Sequence, residues 1–441
     1  MTYKVALVSL GCPKNQIDAE ILLGFLEDGG FTVTANEDDA DVIIINTCGF
    51  IEDAKQESID AILDCATHKE NGSLKLLVVT GCLAERYRDE ITKEMPEVDV
   101  CVGLGSNKDI AKIILDALDG KCQNCYGEKK DLPLSARRVL SGTPYSACLK
   151  IAEGCNNRCA FCAIPAIRGP YRSRTLEDVV REASALADGG VTELTLVAQD
   201  TTCWGIDIYK KPSLSLLLRE LCKIEKLHWI RVLYTYPDKI DDELLHTIAE
   251  EPKIVKYVDV PVQHCSKNVL RAMHRPQDKD ELVALFDKMR QIVPNITIRT
   301  TLMAGFFGET EEDFCELCDF VKQVKFDRMG CFAFSLEEGT PAEKLDPTPD
   351  RQTAVTRADH IMRLQADISA ELCAKKAGTV QEVLVEGYDT YIKMYYGRTA
   401  ADALDIDGKV FFTSGSPVNP GEYINVKITD CLKYDLLGEK I

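Results

Sequence analysis

Residues 153–165 read EGCNNRCAFCAIP, setting Cys155, Cys159 and Cys162 in a CxxxCxxC array directly after a strand-like run, ACLKIAEG at 147–154. Three thiolates at this spacing can ligate three irons of a 4Fe-4S cluster and leave the fourth without a protein ligand. Such an open position separates catalytic metal sites from closed structural ones. A zinc knuckle would need a fourth Cys or His close by, and none follows. Five further apolar runs come after the array: VTELTLVAQD (191–200), IRVLYTYP (230–237), VKYVDVPVQ (255–263), ITIRTTLMAGF (296–306) and MGCFAFSL (329–336). Amphipathic stretches such as LEDVVREASALADGG and EEDFCELCDFVKQV separate them. Six βα units predict a partial (βα)6 barrel with its chemistry at the C-terminal ends of the strands.

Toward the amino terminus a shorter series has the same rhythm: YKVALVSL, DAEILLGFLEDGG, ADVIIINT, DAKQESIDAILDCA and LKLLVVTG. It predicts a parallel-sheet αβ domain over 1–118. Cys12, Cys48 and Cys82 each stand just past one of its strands, in SLGCPKN, NTCGF and TGCLA, at separations of 36 and 34 residues, about one βαβ step. Successive parallel strands deliver their following loops to one edge of a sheet, so these thiols should converge and hold a second cluster with an open iron. A lone free cysteine is more often packing material, which suits Cys65, Cys101, Cys222, Cys265 and Cys331.

Between the two series GKCQNCYGEKKDLPLSARRVLSGTP is rich in turn formers and charge, and 119–140 reads as a linker before a barrel core at 141–374. The linker pair Cys122 and Cys125 lacks the second pair of a zinc ribbon, and Cys315 and Cys318, three apart on a helix, read as structural. From 375 to 441 short strands between Gly, Asp and Asn turns predict a small β-barrel. The class is α/β throughout the first two units.

Hydrophobic residues at 45% and charged ones at 28% describe a soluble globular chain, and no apolar run is long enough to span a membrane. MTYKVALVSLGC does not have the pattern of a signal peptide, so a cytoplasmic location is expected. In that compartment nineteen cysteines stay reduced, which favours metal ligation over disulfides. A net charge of -19 repels phosphate backbones, and weighs against a nucleic-acid substrate.

The array at the end of the first barrel strand, followed by the six-strand series, resembles the radical S-adenosylmethionine superfamily. The resemblance implies that S-adenosylmethionine chelates the open iron and is cleaved by one electron to a 5'-deoxyadenosyl radical, chemistry delegated to a cofactor. It also implies that Gln199 and Asp200, ending the second strand, position the cofactor, and that Gly305 and Gly308 resemble the turn where backbone approaches its adenosine. Gln263 and His264 end the fourth strand, where a lone His is more often a hydrogen-bonded structural residue than a catalyst.

A three-cysteine αβ domain, a CxxxCxxC barrel and a terminal β-barrel, in that order, resemble the methylthiotransferases over nearly the whole chain. Members of that family insert sulfur into a C–H bond and methylate it, with two 4Fe-4S clusters, S-adenosylmethionine, a sulfur donor and a low-potential electron donor of flavodoxin or ferredoxin type. One branch modifies an adenosine of transfer RNA; the RimO-type branch modifies an aspartate of small-subunit ribosomal protein S-twelve at its β-carbon. Cys12-Pro13-Lys14-Asn15 and Cys48-Gly49-Phe50-Ile51 with Ala54, Glu57 and Ser58 are similar to the second branch, as are Arg168-Gly169 and Ser173-Arg174, although Thr175 stands where that branch usually has Pro. The terminal segment resembles a TRAM module, with YYGRTAADALDIDGKVFF at 395–412. From 377 to 441 six Lys or Arg against ten Asp or Glu suit a basic protein partner better than RNA. A guanidinium at the barrel mouth, Arg168 or Arg172, is a candidate for the substrate carboxylate. The alternatives are a transfer-RNA adenosine methylthiotransferase and a non-enzymatic cluster carrier.

Overall fold

The computed structural model describes residues 3–121, 124–345 and 350–441. The apolar runs at 42–47 and 76–81 are buried on both faces, as parallel strands covered by helices must be. They are β3 (Val42–Thr47) and β4 (Leu76–Gly81) of a parallel sheet completed by β1 (Lys4–Ser9), β2 (Thr32–Val33) and β5 (Val100–Cys101), in the order β2-β1-β3-β4-β5. The register pairs Ser9 with Asn46 and Thr47 with Gly81, so the residues that follow β1, β3 and β4 reach the same edge. Cys125, in the stretch expected to be a linker, extends this sheet by bridging Val102. Cys122 lies outside the described residues.

The second unit begins with β6 (Ser146–Lys150) and a short antiparallel pair, β7 (Ala152–Glu153) and β8 (Arg172–Ser173). It continues through β9 (Glu193–Val197), β10 (Trp229–Val232), β11 (Ile254–Asp259), β12 (Thr297–Ala304) and β13 (Arg328–Ala333). Strands β6, β9, β10, β11, β12 and β13 pair in chain order and in parallel, leaving β6 and β13 as the edges of the expected partial barrel. Its outer helices start on side-chain caps: Asp278 with Glu281 and Thr310 with Asp313 form capping boxes, each satisfying backbone N–H groups that a helix start leaves orphaned. The long helix Arg351–Ala374 covers β12 and β13.

The helix Pro13–Asp28 is buried on most of its faces because it lies between the amino-terminal sheet and β6. It therefore carries polar residues into the seam. Asp18 pairs with Lys150 and Arg168, while Glu20 holds Arg138 through both Nε at 3.1 Å and Nη2 at 2.5 Å.

The third unit is a closed barrel of β14 (Val380–Asp389), β15 (Met394–Thr399), β16 (Val410–Thr413), β17 (Tyr423–Cys431) and β18 (Leu436–Lys440). It docks where the strands of the second unit begin. Arg398 pairs with Glu193 at 2.6 Å, Arg328 with Asp402 at 2.5 Å, and Tyr257 donates to Asp407 at 2.7 Å. Asp402 and Asp407 thus answer cations and a phenol inside the molecule. The acidic count of this unit overstates the charge it can show to a basic partner, because composition does not say where a carboxylate points.

Burial alone would raise the Glu193 carboxyl, but Arg398 and Arg231 hold it down to about 2. A depressed carboxyl contributes stability that is fully present above its unfolded value near 4.5 and is lost as pH falls toward 2. The shift is worth about 3 kcal/mol. Urea midpoints should therefore fall steeply between pH 4.5 and 2 in the wild type, and E193Q should flatten that part of the profile.

Candidate functional site

The CxxxCxxC loop is pinned at both ends by its own sequence. Gly154, at φ +76°, places backbone where a Cβ would stand 2.2 Å from the Pro170 carbonyl oxygen, so no other residue fits there without displacing the chain that enters β8. Cys155 N–H then donates to the Gly169 oxygen at 3.2 Å, and Cys162 N–H to the Cys159 oxygen at 3.1 Å. Asn157 donates its backbone N–H to the Cys155 sulfur at 3.4 Å and its side chain to Asp200 at 2.8 Å. Lys239 closes the group, reaching Asn157 at 2.9 Å and Asp200 at 3.2 Å. The Tyr236 hydroxyl lies 3.9 Å from the Cys159 sulfur.

The first triad is gathered by three glycines. A Cβ on Gly11 would fall 2.7 Å from Cys48 Cβ; one on Gly49, 2.8 Å from the Leu83 backbone; one on Gly81, 2.4 Å from the Thr47 carbonyl oxygen. The loops carrying Cys12, Cys48 and Cys82 interlock at these close approaches. Asn15 ties them further by donating to the carbonyls of Leu10, Asn46 and Thr47, and Ser58 brackets the Cys48 peptide, accepting from its N–H at 3.1 Å and donating to its oxygen at 2.9 Å.

Arg168 joins the two halves. Its Nη2 donates to the Cys82 sulfur and to Asn15 Oδ1, each at 3.2 Å, while Nη1 reaches Asp18 and, at 3.2 Å, Glu153. Glu153 sits two residues before Cys155 and accepts from Gln199 at 2.5 Å. With Lys150 paired to the same two carboxylates, a fully buried group of two cations and two anions runs from the first triad to the foot of the second. Lys150 and Arg168 hold the Glu153 carboxyl below its ordinary range even though burial opposes this most strongly.

The donor set suits thiophilic metal. Burial pushes the Cys162 thiol up to about 12, and Cys82 up to about 11 even beside Arg168, so these sulfurs are poor thiolates until a metal takes the charge. Among the described residues no group of three or more His, Cys, Asp or Glu side chains is disposed to hold a single metal ion. In a cubane each thiolate serves a different iron, a wider arrangement than one ion requires. Gln199 Oε1 is buried with no partner, an acceptor placed for a donor-bearing ligand.

Other expected site residues are committed within the protein. Asp200 is almost wholly buried and accepts from Asn157, Lys239, Cys203 and Thr202. Gly305, at φ +76°, makes room for the helix Arg351–Ala374, since its Cβ would stand 2.2 Å from Ala354 Cβ; Gly308, at φ +75°, faces open space. His264 is buried, accepting from Ser266 N–H at 3.0 Å with Nε2 3.6 Å from Glu309, and Gln263 holds a left-handed backbone at φ +72°. Arg172 donates to the carbonyls of Lys129 and Lys130, and Arg168 is enclosed as described. The Arg168 guanidinium is therefore not free for a substrate carboxylate, whereas Arg172 has backbone partners but no carboxylate. Sequence reasoning gave no role to Glu153 or Lys239 and met Lys14 only as part of the motif that follows Cys12; Glu153 carried the signal of a charge at a strand end, Lys239 none.

Three family models match the chain: Uncharacterized protein family UPF0004 at residues 4–103, the Radical SAM superfamily at 149–321 and a TRAM domain at 377–441. Among curated relatives, "Ribosomal protein uS12 methylthiotransferase RimO" of Acetivibrio thermocellus is 48% identical, with 100% of this chain and 99% of that one aligned. The protein of the same name from Pelotomaculum thermopropionicum is also 48% identical, over 100% of both chains, and that from Clostridioides difficile 46%, over 99% and 98%. Among solved structures, the radical S-adenosylmethionine methyltransferase TsrM from Kitasatospora setae superposes with a TM-score of 0.52 at 16% identity, covering 86% of this chain and 78% of that one. The cobalamin-dependent radical enzyme OxsB with aqua-cobalamin bound gives 0.53 at 13% identity, covering 82% and 56%. At these identities the two structures speak to the fold alone.

Proposed function

The chain belongs to the RimO-type methylthiotransferases of the radical S-adenosylmethionine superfamily, and from that premise we propose that it installs a methylthio group on the β-carbon of an aspartate in ribosomal protein uS12. The observation that supports this reading most is the seam itself: Arg168 touches the Cys82 sulfur on one side and Glu153, next to the CxxxCxxC loop, on the other. A cluster carrier has no need to bring two triads together across a domain boundary. The amino-terminal unit at 1–118, the linker at 119–140, the core at 141–374 and the TRAM unit at 375–441 divide the work in this reading.

Cys155, Cys159 and Cys162 would hold one 4Fe-4S cluster and Cys12, Cys48 and Cys82 the other, with S-adenosylmethionine at the first of these and Gln199, Asp200 and Gly305 near it. When bound, these groups supply the one-electron chemistry that activates an unreactive C–H bond and a port for the incoming sulfur. The chain's own residues position and shield. Asn157 and Arg168 donate to ligand sulfurs, which steadies anionic thiolates. Asp200, Asn157 and Lys239 fix the loop in place, and the buried Arg168 group keeps water from the seam. A sulfur donor and a low-potential flavodoxin or ferredoxin complete the reaction, which we place in the cytoplasm; among the described residues no helix is long and apolar enough to cross a membrane.

uS12 incubated with reconstituted enzyme, reductant, sulfide and S-adenosylmethionine should gain a methylthio mass on one aspartate, located by tandem mass spectrometry. Label from S-adenosylmethionine appearing in transfer-RNA nucleosides, with none on uS12, would replace this reading by the adenosine-modifying one.

A further inference from the structure

Among the described residues six of the eight buried lysines and arginines, Lys150, Arg168, Arg174, Arg231, Arg328 and Arg398, have a carboxylate at ion-pair distance. Among the described residues the other two, Lys14 and Arg275, have no carboxylate at ion-pair distance, and both rest on aromatic rings just beyond β10. Lys14 Nζ stands 3.2 Å from the centroid of the Tyr234 ring, and the Arg275 guanidinium 4.5 Å from that of Tyr236. A buried cation without a counter-anion is costly, and a π face offsets only part of the lost hydration. Arg275 donates to the Pro261 carbonyl and lies beside Cys162. Lys14 lies elsewhere, two residues after Cys12, yet its ammonium contacts the barrel loop. Tyr234, which receives it, holds a left-handed backbone at φ +59°, a strained conformation that the surrounding packing must enforce.

Lys14 therefore spans the seam between the first triad and the barrel mouth. If the chain acts on aspartate as proposed above, the target β-carbon must enter this seam, and its carboxylate is one bond away. Two other cations there are already engaged, Arg168 by Asp18, Glu153, Asn15 and Cys82 and Lys239 by Asp200 and Asn157, while Arg172 is tied to the backbone carbonyls of Lys129 and Lys130. An ammonium has three donors, and the face of one ring leaves capacity for an anion. We propose that Lys14, held on Tyr234, is the subsite for the carboxylate of the target side chain. It selects an acidic residue and fixes the carbon next to it.

The test is binding of uS12, and of uS12 with the modified aspartate changed to Asn, to reconstituted full-length enzyme by fluorescence anisotropy. Wild type should prefer the Asp form by about tenfold, the scale of a charge-assisted hydrogen bond. K14M, which keeps the apolar stem, should bind both forms equally, and K14R should keep part of the preference. K14Q is the second charge-deleting variant should K14M fail to fold. A preference that survives in K14M or K14Q overturns the assignment, as does its absence in wild type. If iron and sulfide fall to one cluster's content while the preference persists, the ammonium serves the first cluster and the subsite is refuted. Methylthio mass on wild-type-treated uS12 is scored separately: if none forms, the activity reading fails, whereas mass with an unchanged preference in K14M removes Lys14 alone.

Discussion

A chain carrying C12A, C48A and C82A together will transfer no detectable methylthio group to uS12, yet will still cleave S-adenosylmethionine when reduced. The two halves of this result follow from the separate frameworks that hold the triads. Cys12, Cys48 and Cys82 are gathered by Gly11, Gly49 and Gly81 within the amino-terminal sheet, whereas Cys155, Cys159 and Cys162 depend on Gly154, Asn157 and Met273, whose carbonyl accepts from Ala160 N–H, all in the barrel. Replacing thiols by methyl groups keeps the glycine contacts and costs little packing, since a free buried Cys behaves as a small hydrophobe. Arg168 loses its sulfur partner but keeps Asn15, Asp18 and Glu153. Quantifying methionine and 5'-deoxyadenosine beside the uS12 mass checks both halves; loss of cleavage together with transfer would mean that the triads do not act separately.

R168M should be the most destabilising single substitution at the seam. Four buried charges now balance, with Lys150 and Arg168 against Asp18 and Glu153. Removing the guanidinium leaves one carboxylate without compensation, and breaking a buried pair in this way costs about 3–5 kcal/mol. The unfolding free energy from urea titration should fall by that amount, seen as a lower midpoint at unchanged slope. D18N in the same chain removes the excess negative charge and should recover part of the loss, a coupling that a double-mutant cycle reads directly. A fall below about 1 kcal/mol would show that the Arg168 group does not hold the two units together.

Much of this architecture could be read beforehand because it rests on periodicity. Six apolar runs at regular intervals became six adjacent parallel strands, and cysteines at equal steps past three strands became neighbours through the register of Thr47 with Gly81. Two-residue strands such as β2 and β5 carry no periodic signal, and the five strands of the small terminal barrel were legible only as short runs between turns. Side-chain roles were harder. Arg168 reads as a barrel-mouth guanidinium open to a substrate carboxylate and is enclosed; Gly305 reads as a ligand-facing turn and is filled by Ala354; Asp402 and Asp407 read as partner-facing charge and point inward. In each case the deciding group comes from an element distant in the chain, which local pattern cannot supply. Lys14 is the converse, a charge whose isolation is visible only when every ion pair around it is known.

The account stands on two clusters in one chain, and iron and acid-labile sulfide per polypeptide after anaerobic reconstitution measure this directly. Wild type should hold about eight of each, and the chain lacking Cys12, Cys48 and Cys82 about four, since each cubane carries four irons and four sulfides. About four in both proteins would contradict it.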